Sequence, residues 1–254
     1  MAHAMDKIDP ESPEFEEVIA GQVDSFNKPY QSLFRLYYPI FGHESEEEKK
    51  VAFKNLVELE RQWARDDPDC RWIRAIDTEQ NNKLAAGALF KISKENPFGP
   101  NKSKKSESAV WCPRGSQREY IDEAARILGA PRERYMQRPH LYCYIGYVVD
   151  EYRESELAHM MLGEECRLAD ELGLEAYMES VAWSGVALWM RHGFFPAFRV
   201  DAKPRKSNPD EEWLQMQKKM GPMKFWPMWR PPYGKWEPGV RPLWFDEQEV
   251  RTKL

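Results

Sequence analysis

Four cysteines in 254 residues, Cys70, Cys112, Cys143 and Cys166, stand too far apart for a CxxC zinc knuckle. They read as reduced thiols. Residues 1–10 carry no apolar segment of a secretory signal, so the expected location is the cytoplasm. No run of about 18 apolar residues is present, which leaves nothing for a membrane-spanning helix. A basic excess is also missing. The 37 Lys and Arg against 42 Asp and Glu give a net charge of -5, without the positive field that a nucleic-acid partner requires. The chain has no Walker A loop, GxGxxG, HExxH or GxSxG motif and no internal repeat. His43, His140, His159 and His192 share no ligand spacing, so no metal site is expected.

What is there is apolar area. A hydrophobic fraction of 42%, with 13% aromatic residues, is enough to offset ordering entropy and excludes disorder over most of the length. At this size folding buries roughly 70 to 75% of the unfolded surface. Residues 24–40 place Phe26, Tyr30, Leu33, Phe34 and Tyr37 at helical spacing up to Pro39. Residues 45–65 form a stronger helix signal, with Ser45 as cap, Glu46, Glu47 and Glu48 in the first turn, and Val51, Leu56, Leu59 and Trp63 along one side. Residues 71–77 and 83–93 read as an antiparallel strand pair about a polar turn.

Composition shifts to Pro, Ser, Lys and Arg over 94–139, marking an insertion that holds a helix at 116–128 ended by Gly129. The apolar and aromatic run at 141–149 predicts a central strand. Residues 155–172, closed by Gly173, predict a helix, and 174–181, 184–192 and 194–200 predict strand, helix and strand. Beyond Pro222, Trp226, Trp229, Trp236 and Trp244 lie among prolines too dense for a regular helix. That segment is expected to pack its tryptophans on the domain, giving a domain at 1–222 and an extension at 223–254.

Residues 142–194 resemble the GNAT-type N-acetyltransferases, particularly those abundant in fungi, through ADELGLEAYMES (169–180) and GVALWMRHGF (185–194). The resemblance implies an α/β fold in which a mixed twisted sheet is flanked by helices, with acetyl-CoA or another acyl-CoA as cofactor. In such proteins a Q/R-x-x-G-x-G/A turn after the central strand holds the cofactor diphosphate on free amides at a helix start. Here Arg153, Glu154, Ser155, Glu156, Leu157 and Ala158 occupy that turn. Glu156 replaces the first motif glycine and brings bulk and negative charge, so a helix end capped by its own acids is an equal reading. Trp189 replaces the family's tyrosine acid and cannot serve as one, and Ser184 is the polar residue nearest the family's asparagine.

The same resemblance assigns the central-strand amides at Gly146 and Val148 to the thioester carbonyl. From position in the sheet, the candidates for chemistry are Glu179 as base, Tyr142 and Tyr144 on one face of the central strand, and His192. Cys143, on the opposite face, reads as an inert buried thiol. The expected function is acyl-CoA-dependent N-acylation of a small-molecule amine by a monomer or homodimer, with no nucleic-acid or membrane partner. Two alternatives stand beside it. One is a GNAT-like biosynthetic enzyme that has lost CoA and performs hydrolysis, cyclisation or isomerisation; the other is a non-catalytic binding protein.

Overall fold

A continuous apolar run, residues 84–90, lies at the centre of the first half of the sheet and is buried on both faces. In the computed structural model, which describes residues 2–29, 31–36, 45–100 and 109–236, β1 (His3–Lys7), β2 (Cys70–Asp77) and β3 (Lys83–Ser93) form an antiparallel series. The expected strand pair at 71–93 is present with its turn, where Asn81 and Asn82 take φ of 55° and 59°. The central strand β4 (His140–Val148) pairs antiparallel with β3 and parallel with β5 (Glu175–Ser180). Then come β8 (Met223–Arg230) and β6 (Phe195–Pro196), with β7 (Val200–Ala202) pairing β8 off the main path.

Helices α1 (Phe15–Asn27) and α3 (Glu46–Asp66) cover one face of the sheet over β2, β3 and β4. Helices α5 (Leu157–Glu171) and α6 (Trp183–Met190) cover the other, around a core of Leu141, Cys143, Leu157, Met161, Met178 and Met228. Gly87 makes the α1 side possible. A Cβ there would meet the Tyr147 ring at 2.5–2.7 Å, and the Tyr147 hydroxyl reaches through to the Val18 carbonyl at 2.6 Å.

Several elements differ from the sequence expectation. The first helix runs over Phe15–Asn27 and stops at Pro29; a separate turn, α2 (Ser32–Arg35), follows, while Tyr30 and 37–44 lie outside the described residues. Helix α3 has the expected Ser45 capping box but turns Ala52, Leu56, Val57 and Glu60 inward, leaving Val51 and Trp63 exposed. Helix α4 (Ser116–Tyr135) passes straight through Gly129 and Pro131. Pro131 lacks the amide that would bond back into the helix, but burial of Pro131, Arg132 and, just beyond, Met136 outweighs that loss. Residues 194–200 split into β6 and β7.

The Trp-rich segment packs on the domain as expected, with Trp229 fully buried, but its first eight residues do so as β8, an interior strand of the sheet, and not as an extension laid over it. Pro227 is tolerated because its carbonyl accepts from the Ala197 amide at 2.8 Å; a strand residue's N and C=O point the same way, so the missing donor faces the short outer strand rather than β5. Residues 237–254, including Trp244, lie outside the described residues.

Two carboxyls sit deep in the packing. Burial pushes Glu60 and Glu165 up to about 8. The folded state therefore holds protons that the unfolded chain, with an ordinary 4.5, gives up. Stability should fall as pH rises from about 4.5 to 8, by up to about 1.4 kcal/mol per pH unit for each group. His140 acts oppositely, but only below its ordinary 6.5, because burial and the Arg132 charge hold its folded value down to about 3. Between pH 6.5 and 8, melting of wild type should drop more steeply than that of Glu165→Gln; parallel curves would contradict the assignment.

Candidate active site

Strands β4 and β5 run parallel only from His140↔Glu175 to Cys143↔Met178. The next two residues, Tyr144 and Glu179, are the first to lose the ladder. The cause lies on the other side of β4, where the β3 register jumps from Leu89↔Ile145 to Phe90↔Cys143 and skips Tyr144. A bulge there bends and twists β4 away from β5. It also brings the Tyr142 and Tyr144 rings to a centroid distance of 4.1 Å on one face.

Past the bulge, the Val149 amide donates to the Ala85 carbonyl at 2.9 Å, which sets the alternation along β4. Amides and carbonyls of Tyr147 then face β3, and those of Gly146 and Val148 face away from it, into the opening. The Val148 carbonyl accepts from Ser25 Oγ on that side at 3.3 Å. Gly146 is exposed, and a Cβ on it would meet only the Cys143 sulfur, at 4.0 Å.

Glu179 is half-buried at the end of β5, and the Tyr142 hydroxyl donates to its Oε2 at 2.8 Å. Tyr177, opposite Tyr142 in the register, has its phenol pushed well above the usual range by burial and then by the Glu179 charge. Arg132 lies over Tyr142, its guanidinium carbon 3.7 Å from the ring centroid. The structure thus brings Glu179, Tyr142 and Tyr144 together at the parting of the strands, with the Gly146 and Val148 amides along the same opening.

The turn after β4 is a single 3-10 turn (Asp150–Tyr152) leading into α5. Arg153 is committed: one Nη donates to the Ser25 carbonyl at 2.8 Å and the other pairs with Asp150 at 2.9 Å. The helix start is not capped by its acids, contrary to one expectation. Ser155 Oγ accepts from the Leu157 amide at 3.3 Å, while Glu154 and Glu156 are exposed with no side-chain cap bond. Glu156 takes φ -73° and ψ 2°, a conformation open to any residue, so a glycine is not demanded there.

No protein-family model and no curated protein matches the sequence. Solved structures do. The protein is similar to arylalkylamine N-acetyltransferase 2 from Aedes aegypti, with 14% identity over 91% of this chain and 99% of that one and a TM-score of 0.57. It is also similar to a histone acetyltransferase HPA2 and related acetyltransferase from Corynebacterium glutamicum, with 17% identity over 94% and 100% of the two chains and a TM-score of 0.53. This chain has the GNAT fold. A third similar structure is the C-terminal condensation domain of Ebony in complex with beta-alanyl-dopamine, with 14% identity, 91% and 99% coverage and a TM-score of 0.56.

An acyl-CoA, the cofactor implied by the GNAT fold, meets two different environments here. The opening between β4 and β5, with outward amides and an unobstructed Gly146, fits a thioester arm. The α5 turn does not fit a diphosphate, because its one arginine is engaged and two exposed carboxylates, Glu154 and Glu156, flank the helix start.

The remaining expected residues lie elsewhere. His192 is not brought to Glu179; its Nε2 is 3.0 Å from His159 Nδ1 on α5, and its carbonyl accepts from Arg230 Nε at 2.8 Å. Burial, then His159 and Arg230, lowers its pKa, which suits a neutral packing role. Trp189 packs edge-on against Phe194 at 4.9 Å, and Ser184 is exposed on α6. Cys143 is buried against Glu165 on the α5 face, and burial raises its thiol well above the usual range, so it is no thiolate nucleophile. The sequence does not single out Arg132 or Tyr177. The 3.6-residue spacing of α4, had it been carried past Gly129, would have put Arg132 in line with Ala124, Ala125 and Leu128, and that was the available signal.

Proposed function

We propose that this protein is an N-acyltransferase that moves an acyl group from a thioester to the amino group of a small molecule. The observation that carries the reading is the loss of the β4–β5 ladder at Tyr144 and Glu179, which sets a tyrosine-bonded carboxylate beside amides turned into the opening. In the reaction the amine nitrogen attacks the thioester carbonyl carbon, a C–N bond forms and the C–S bond breaks. Glu179 accepts the proton that the amine gives up. The Gly146 and Val148 amides donate to the carbonyl oxygen as charge develops on it. Tyr144 is the phenol placed to return a proton to the leaving sulfur, a role the indole of Trp189 cannot fill. The Tyr142 and Tyr144 rings on one face suit an amine with apolar bulk, in keeping with the arylalkylamine acetyltransferases of the same fold.

The donor is an acyl thioester, with acyl-CoA the form the fold implies and only its thioester end supplied with fitting residues. Acetyl-CoA and the truncated donor S-acetyl-N-acetylcysteamine should therefore support amide formation with kcat/KM values within about tenfold, since the diphosphate adds little binding. Glu156→Gly should improve acetyl-CoA alone, by removing a carboxylate from the helix start. A preference for acetyl-CoA above about 100-fold in wild type would show that the diphosphate is held after all. The exposed pair Glu154 and Glu156 favours a second reading, a GNAT-fold enzyme that uses no CoA and performs hydrolysis, cyclisation or isomerisation. Failure of both donors to bind or react would overturn the acyl-transfer reading, and turnover of another substrate would then be needed to separate this enzyme from a non-catalytic binding protein.

A further inference from the structure

The described residues include two buried arginines, and they are satisfied differently. Arg230, 5% exposed, forms a two-bond pair with Asp170 at 2.6 and 2.9 Å and gives its Nε to the His192 carbonyl. Arg132 is 8% exposed, yet among the described residues no carboxylate lies within ion-pair distance of it. Among the described residues, its one hydrogen bond runs from Nε to His140 Nε2 at 3.1 Å. That histidine is fully buried, and its Nδ1–H donates to the Arg138 carbonyl at 2.7 Å, which leaves Nε2 as an acceptor on a neutral ring. His140 therefore orients the guanidinium without neutralising it.

Aromatic faces hold the rest of the group. The guanidinium carbon lies 3.7 Å from the Tyr142 centroid, 5.3 Å from that of Phe98 and 5.8 Å from that of Tyr144. A guanidinium held over ring faces keeps its in-plane N–H edge for an acceptor. A cation desolvated to this degree and left without an anion is costly, whereas a planar carboxylate arriving in the plane would make two parallel charge-assisted bonds. The position is also telling. Tyr142 carries Arg132 on its ring and donates from its hydroxyl to Glu179, so cation and base sit about one phenol apart.

We propose that Arg132 is a substrate-recognition residue that binds a carboxylate on the acceptor, so that the acceptor class is amino acids and related amines carrying a carboxylate near the amino group. The proposal rests on the N-acyltransferase reading for what happens next, but the binding itself does not need turnover. A single cation walled by aromatic rings matches one planar monoanion better than a phosphate dianion, which would ask for a second positive group.

The test is direct binding. Wild type is screened by thermal shift against the twenty standard amino acids, and each hit is compared by calorimetry with the amine obtained by removing its carboxylate and with its aminophosphonate analogue. At least one amino acid should bind, with affinity about 10- to 100-fold above its decarboxylated partner, as expected for bonds to a charged group. Arg132→Met, which keeps the apolar stem, should erase that difference, and Arg132→Lys, which keeps a cation and a donor for His140 but not the fork, should retain a fraction of it. Melting curves of both variants show whether the fold is kept, and Arg132→Lys stands in if the Met variant is unfolded. Binding of no amino acid to wild type, or an unchanged carboxylate preference in a folded variant, overturns the proposal. Stronger binding of the phosphonate would reassign the site to phosphate-type anions and overturn it too. Amino-acid binding through Arg132 without acyl transfer from any thioester would uphold this inference and sink the N-acyltransferase reading.

Discussion

Glu179→Gln should lower kcat for amide formation by about 100- to 10,000-fold, the usual contribution of a positioned general base. Glutamine keeps an oxygen for the Tyr142 hydroxyl, so the geometry around Oε2 at 2.8 Å is preserved while the ability to take a proton is lost. KM for the amine should change little. Initial rates of thiol release at limiting and saturating amine measure both. Turnover within threefold of wild type would exclude Glu179 as the base and turn attention to Tyr144.

The second large effect is on stability. Trp229 is fully buried on β8, opposite Tyr177 in the register, packed with Met136, Tyr142 and Tyr177, and its Nε1 donates to Glu175 Oε2 at 2.6 Å. Glu175 in turn holds Arg138 through two bonds at 2.9 and 2.8 Å. Trp229→Ala should cost about 3 to 5 kcal/mol from lost packing and the cavity left behind. It also removes a donor from a buried carboxylate, worth about another 1.5 to 3 kcal/mol. Trp229→Phe helps to separate the two, since it loses the donor while keeping most of the apolar area. Urea unfolding of the three proteins reports the ladder; a loss below about 1 kcal/mol in Trp229→Ala would mean that β8 is not the interior strand described.

That strand marks where the sequence stopped being legible. The sequence pattern placed β2 and β3, the central strand, α5 and β5 close to their observed ends, because each is an apolar run or stripe bounded by polar residues or by a turn such as that at Gly173, which has φ +64°. Pro227 hid β8, since proline signals an irregular segment unless it is known which neighbour the missing donor would have faced. Gly129 and Pro131 hid the end of α4, where burial of Arg132 and Met136 overrides helix propensity. In the candidate site, Glu179, Tyr142 and Tyr144 were legible from strand position alone. The bulge at Tyr144 was not, because a skipped residue in a ladder leaves no mark in composition. Arg132 was invisible for the same reason that it is informative: its surroundings come from α4, β4 and the segment around Phe98, joined only by the fold.

Acyl transfer is tested most directly by mass-spectrometric detection of amide product after incubating wild type and Glu179→Gln with acetyl-CoA or S-acetyl-N-acetylcysteamine and a mixture of amino acids and simple amines. N-acetylated product is expected from wild type, equal in amount to the thiol released, and at least about 100-fold less from the variant under the same conditions. Thiol release without amide, or no product from either donor with folded wild-type protein, would contradict acyl transfer.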